Sequence, residues 1–280
     1  MGQTLRVDDS LLGVRLEAAV AADMTGFVEP LRSDADDASA FTAPLAGGHL
    51  VLTGPGLYVN RVLAGGIDRP PTAAELELVV DRSADVGVDA AFDVSELSHA
   101  DTPAALAAAE FVPSDEVDAV ALVQVLDAGS REDAELRFDV EPVESSADLQ
   151  DWLDATAAGW DHVEPDRRAA SDRFSRAAHI AQSPGLLLAR DPFDGAVAGV
   201  AMLSIIGDVA VLGGMSTVPL HRRRGVQSAL IRHRLAMAVE AGCTVAGTHA
   251  APGGDSLRNL QRFGFRPSHQ VTGWTRVAVS

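Results

Sequence analysis

The sequence predicts a mixed α+β protein whose mostly antiparallel sheets are flanked by helices, and three observations carry that expectation. First, the turn signals "DPFDG" and "GD" cut a long apolar stretch into three strands near residues 186–190, 196–206 and 209–218, an antiparallel meander. Second, from Gly225 the spacing becomes helical through "GVQSALIRHRLAMAVEAG", with Gly242 as the C-terminal cap. Third, the order strand, loop, helix, aromatic, proline, strand occurs twice. "DVSELSHADTPAALAAAEFVPS" from Asp93 aligns with "GTHAAPGGDSLRNLQRFGFRPS" from Gly247, an offset of 247 − 93 = 154 residues. Asp101 meets Asp255, Thr102 meets Ser256, Leu106 meets Leu260, Phe111 meets Phe265 and Pro113 meets Pro267. We read this as a diverged internal duplication.

The remaining elements follow in chain order. "GPGLYVNRVLAGG" is rich in glycine, yet Tyr58, Val59, Val62 and Leu63 favour a strand after a turn, and no helix start follows directly. Asn60 and Tyr58 are candidates to line an acceptor pocket. "DAVALVQVL" and "RFDVEPV" read as strands, and "DAGSREDAEL", Asp127 to Leu136, as the linker between them. Two domains are therefore expected, 1–134 and 135–280. A helix opens at Ser145, with Asp148 three residues on completing a capping box. After the meander and its helix come a short strand "CTVAGTH", the loop "AAPGGD", a helix "SLRNLQRF", and "GF" leading to a final strand around Val271 to Val277. Cys243 begins its strand as a core residue.

Charge narrows the function classes. The net charge is −18, and all 22 basic residues are arginine. An acidic excess spread along the chain repels polyanions, which excludes nucleic acid as the expected partner and favours a cationic substrate. One cysteine leaves no intrachain disulfide and no cysteine-rich metal site, so a reducing, cytoplasmic setting and no metal are expected. No apolar run approaches the roughly 20 residues of a membrane span, and the N-terminus carries no signal pattern.

Against that acidic background, "TVPLHRRRGVQSAL" concentrates chemistry. Gly225 lets the backbone approach a ligand, Arg222, Arg223 and Arg224 supply positive charge, and the amides of the first helical turn point outward. This is a cradle for a pyrophosphate. Neither a GK[ST] sequence nor G-x-G-x-x-G is present there, which separates it from Walker and dinucleotide loops. Read alone, three arginines are a solvated surface run. Their position between a strand ending in "VP" and a helix start makes them a site.

The order strand, "VP", two residues, "RRRG", helix, short strand, "R-N" helix and "GF" resembles the GNAT superfamily of acyl-CoA-dependent N-acyltransferases, over roughly residues 137–280. The family pattern Q/R-x-x-G-x-G/A falls on Arg222, Gly225 and Gln227, with glutamine in place of the small residue. The resemblance implies two such domains, each a twisted mixed sheet flanked by helices, the N-terminal one degenerate. It implies that backbone groups of Ser216, Thr217 and Val218 pair with the pantetheine arm of acetyl-CoA, and that amides of Arg223, Arg224, Gly225, Val226, Gln227 and Ser228 hold its pyrophosphate. Ser256 and Asn259 would lie beside the CoA tail. The strands Val209–Val218 and Thr244–Thr248 would splay to admit the arm.

The implied reaction is acetyl transfer to a primary amine by direct attack in a ternary complex. The family's usual proton donor, a tyrosine four residues before the glycine of "GF", is here Leu260. His249, just after the penultimate strand, is the candidate to handle a proton, ahead of His221 and His269. The alternative reading is a non-catalytic acyl-CoA binder. Because the two halves can supply one another with the sheet contacts that single-domain relatives make by dimerising, a monomer is expected.

Overall fold

A computed structural model describes residues 7–33, 39–57, 59–127, 137–162, 164–181 and 184–277. The greater part of the linker, 128–136, and Tyr58 lie outside the described residues. The chain forms two compact units: residues 1–123 together with 248–280, and residues 124–247.

In the first unit, α1 (Val7–Gly26) and α2 (Val28–Ser33) precede a meander of β1 (Phe41–Leu45), β2 (Gly48–Leu52) and β3 (Asn60–Leu63). Then follow α3 (Ala73–Val86), β4 (Ala90–Ser95), α4 (Thr102–Ala108), β5 (Val112–Pro113) and β6 (Ala119–Val125). β4 runs parallel to β3, with Val62 opposite Phe92. The side chains that alternate inward from these strands, Leu50, Leu52, Val62 and Phe92, meet Leu76 and Val79 of α3 and Leu106 of α4 in one core.

In the second unit, β7 (Asp139–Pro142), α5 (Ser146–Trp160), α6 (Pro165–Ile180), β8 (Pro184–Arg190), β9 (Val197–Ile206) and β10 (Val209–Thr217) lead to a 3-10 turn at Pro219–His221, α7 (Val226–Glu240) and β11 (Val245–Ala250). Strands β8 to β10 form the expected antiparallel meander, β7 pairs antiparallel with β8 at its edge, and β11 adds to β10 in parallel. Ser145 caps α5 in the expected box with Asp148. Gly242, at φ 80°, ends α7 with its amide donating to Val239 and that of Cys243 to Ala238, the Schellman pattern. Phe138, Leu187, Ala201, Val226 and Leu230 form this unit's core.

The repeat seen in the sequence is a repeat of structure. Both halves run through an antiparallel meander, a helix, a strand parallel to the meander's last, and a second helix: β3–α3–β4–α4 in one, β10–α7–β11–α8 (Asp255–Arg262) in the other. The units nevertheless differ from a cut at 134/135. The last strand, β12 (Arg266–Arg276), pairs with β4 along Val271–Arg276 and with β6 along Arg266–Val271, so the C-terminus is built into the first unit. β12 also starts five residues earlier than expected, because Pro267 and His269 already pair with Leu122 and Ala121 of β6.

Candidate functional site

The loop from β10 to α7 is shaped by its backbone. Arg223 takes φ 63° and Gly225 φ 96°, two left-handed residues around Arg224 that swing the chain into the helix start. For an arginine such a conformation is uncommon and costs free energy. Gly225 is the N-cap of α7, and no side chain caps that helix. Amides of the first turn thus face outward with the positive end of the helix dipole behind them.

The cavity at this helix start has a volume of about 340 Å³. Arg137, Arg223, Arg224 and Arg232 line it together with Gly225, Ser228 and Ala229. Four cationic side chains line it, and no carboxylate does among the described residues, in a chain of net charge −18. The residues fit a pyrophosphate: outward amides, a glycine that brings the backbone close, and guanidinium groups able to pair with phosphate oxygens.

The three consecutive arginines have separate tasks. Arg222 turns away from the cavity and donates from Nη2 to the carbonyl of Gly159 at the C-terminal end of α5, 3.1 Å, a favourable place for a cation. Arg224 is anchored by Asp191, whose Oδ2 lies 2.7 Å from Nη2, and its Nη1 is 3.0 Å from His221 Nδ1. Asp191 is 6% exposed and His221 7% exposed, so the carboxylate and imidazole form a fixed post under the loop. Among the described residues Arg223 has no side-chain partner and remains available at the cavity wall.

β10 supplies the second feature. Its ladder with β11 runs only from Val209/Val245 to Val211/Gly247, while its ladder with β9 continues to Thr217. A bulge at Gly214 and Met215 interrupts the latter, Gly213 pairing with Met202 but Ser216 with Val200. Arg234 of α7 holds this bend. Only 1% exposed, it donates to the carbonyls of Met202 and Gly213, 3.1 and 3.2 Å away, and to Leu230 of its own helix. Burial pushes its guanidinium down to about 9, still charged at neutral pH. The helix that forms the cradle is thereby locked to the bent strand.

Of the expected residues, Ser216 and Thr217 end β10 and Val218 follows it as the N-cap of the 3-10 turn; Ser216 is buried with Oγ donating to the carbonyl of Ala155. Arg222 through Ser228 form the loop and first turn. Ser256 and Asn259 lie on α8 of the first unit. Asn60 serves the loop before β3, its Oδ1 accepting from the amides of Thr53 and Gly54 and its Nδ2 donating to Gly54 and Leu57. Leu260 is 2% exposed, a core residue.

His249 is not a solitary histidine. Its Nε2 lies 2.7 Å from Oε1 of Glu17, and His269 Nε2 lies 2.9 Å from the same oxygen. Burial alone would raise the Glu17 carboxyl; the charge of His249 and hydrogen bonds from both rings outweigh it and hold the group at about 2. Burial likewise opposes the charged form of His249, and the neighbouring Glu17 carboxylate overrides it, raising the imidazole. Asp191, Arg234 and Glu17 escaped sequence reading, since each meets its partners only through tertiary contact.

Residues 147–265 match the model described as the acetyltransferase (GNAT) family. Among solved structures, a GCN5-related N-acetyltransferase from Kribbella flavida is 16% identical with a TM-score of 0.63, covering 94% of this chain and 96% of that one. A tandem GNAT protein from the clavulanic acid biosynthesis pathway is 15% identical with a TM-score of 0.62, covering 98% and 96%. An acetyltransferase of the GNAT family from Colwellia psychrerythraea is 12% identical with a TM-score of 0.52, covering 85% of each chain. At these identities the likeness is one of fold. No curated protein matches the chain. The family model matches less than half of the chain, residues 147–265, and the solved structures share the fold over most of its length. No described helix is long and apolar enough to cross a membrane.

Proposed function

We propose that the protein is an N-acetyltransferase that carries an acetyl group from acetyl-CoA to a primary amine of a small molecule or a protein. The observation that carries this reading is the arginine-lined cavity at the uncapped start of α7. In it the pyrophosphate of CoA rests on the amides of Arg223 to Ser228, and the edge of β10 beyond Val211 offers Ser216, Thr217 and Val218 to the pantetheine arm as a partial strand. The proposed cradle lies within the second unit, residues 124–247.

The amine nitrogen attacks the thioester carbonyl in a ternary complex, the C–S bond breaks, and the proton lost by nitrogen goes to the departing thiolate or to solvent. Holding the two reactants together supplies the larger part of the acceleration. An amide at the β10 bulge is the proposed donor to the developing oxyanion. The acidic surface favours a cationic acceptor.

A thiol-release assay with acetyl-CoA across a library of amines tests this. The expected result is amine-dependent CoA release with at least one acceptor, with the acetylated product seen by mass. The second reading, a binder of acyl-CoA without turnover, is favoured by Leu260, a buried aliphatic side chain where the family's tyrosine stands. Tight acetyl-CoA binding with no release above hydrolysis for any amine would select it.

A further inference from the structure

Glu17, His249 and His269 lie in the first unit, on α1, β11 and β12. Their three ligand atoms, one carboxylate oxygen and two Nε2 nitrogens, fall within 4.8 Å of one another. Glu17 and His269 are buried, with His269 side chain 0% exposed, and His249 is partly buried. The rings stand nearly perpendicular, 80° apart, and bring their Nε2 edges to the same oxygen.

Hydrogen-bond direction defines what His269 offers. Ser268 Oγ donates to the carbonyl of Asp9, 2.9 Å, and has no second hydrogen. Its contact with His269 Nδ1, 3.1 Å, therefore requires Nδ1–H as donor. With Nδ1 so committed, Nε2 is the ring atom that faces the Glu17 carboxylate oxygen, 2.9 Å away, and a proton or a metal ion can join the two. A histidine whose Nδ1–H is held by a neighbouring oxygen keeps Nε2 oriented for an ion, as outer-shell partners do for metal-bound imidazole. Asp93, nearly buried and 2.8 Å from Arg61, adds negative charge to the same surroundings; burial raises its carboxyl, with the Arg61 guanidinium opposing.

The helix has been shaped to fit. Gly13 sits one turn before Glu17 on the same face of α1, in a helix interior where glycine is unfavourable. A Cβ there would come within 2.5 Å of Ser268 Oγ and 2.8 Å of His269 Nδ1. The glycine allows α1 to press against the Ser268–His269 pair, which sets Glu17 against both imidazoles.

We propose that Glu17, His249 and His269 bind one divalent transition-metal ion of the zinc class, tying α1 to β11 and β12. Two imidazoles and one carboxylate are a donor set that suits such ions. The expectation of no metal rested on the single cysteine; this set needs none, and its members stand 232 and 252 residues apart in sequence.

The test uses the full chain stripped by chelator and titrated with Co2+, read by visible absorption, then with Zn2+ by displacement. About one equivalent of Co2+ should bind with tetrahedral-type bands. Glu17→Gln should abolish those bands, and Ser268→Ala should weaken binding about 10–100-fold. X-ray absorption of the zinc-loaded wild-type chain, which needs no variant to fold, should show two imidazole ligands. No Co2+ uptake by the wild-type chain would make this a hydrogen-bonded cluster only and overturn the proposal. So would uptake unchanged in both variants, or an absorption spectrum without imidazole.

Discussion

Helices α3 and α7 occupy equivalent places in the two halves, each following a meander and preceding a strand parallel to the meander's last. Their N-termini have opposite chemistry. α3 is closed by its own residues: Thr72 and Glu75 form a complete capping box, and Arg69 grips Glu75 through two bonds of 2.9 and 2.6 Å. Glu75 also accepts from the amide of Ala46, 2.9 Å. The anion at that helix start is supplied in cis. α7 has glycine as N-cap, no capping side chain, and arginines around a cavity. One fold thus gives a sealed helix start and an open one, and only the open one can receive a ligand's phosphates.

The largest expected effect comes from closing the open end. Gly225→Asp places a carboxylate and a Cβ at φ 96°, and should weaken acetyl-CoA binding by about two orders of magnitude, nearly 3 kcal/mol, by titration calorimetry. Next, Arg234→Met removes the donor to the Met202 and Gly213 carbonyls and should lower stability by about 2–3 kcal/mol, read as a reduced urea midpoint. Arg224→Ala takes one of four cavity arginines and frees Asp191, so a loss of about tenfold in acetyl-CoA affinity is expected.

The smallest effect tests the sealed end. The side-chain hydrogen bond from Arg69 above all, with further bonds from Thr72 and Ala46, holds the Glu75 carboxyl well below its usual range in the folded state. A carboxyl lowered by folding stabilises the fold above its unfolded value and loses that contribution as pH falls through the folded one. Glu75→Ala should therefore lower Tm by about 2–4 °C at neutral pH, as expected for a cap worth about 1 kcal/mol. The gap between wild type and variant should narrow below about pH 4.

What the sequence made legible was local. Strand, "VP", "RRRG" and helix are adjacent, so the strand–loop–helix order could be read from spacing, as could the Ser145–Asp148 box and the Gly242 cap. The C-terminal strand's place beside β4 and β6 could not, because the apolar pattern of β12 is compatible with any open sheet edge. Arg234 reads as one more basic residue on a helix until Met202 and Gly213 are brought to it. Likewise His249 reads as a strand-end histidine, since Glu17 on α1 gives no sign of its partners in sequence. The separate tasks of Arg222 and Arg224 were hidden for the same reason: Gly159 and Asp191 are remote in sequence.

The central claim, that one helix start is open and its counterpart sealed, has a stoichiometry. Acetyl-CoA titrated calorimetrically into the wild-type chain should bind at one equivalent, more weakly at higher salt, with no binding left on the α3 side once Gly225→Asp has closed α7. Two equivalents, none, or one equivalent undiminished in affinity in that variant would contradict the account.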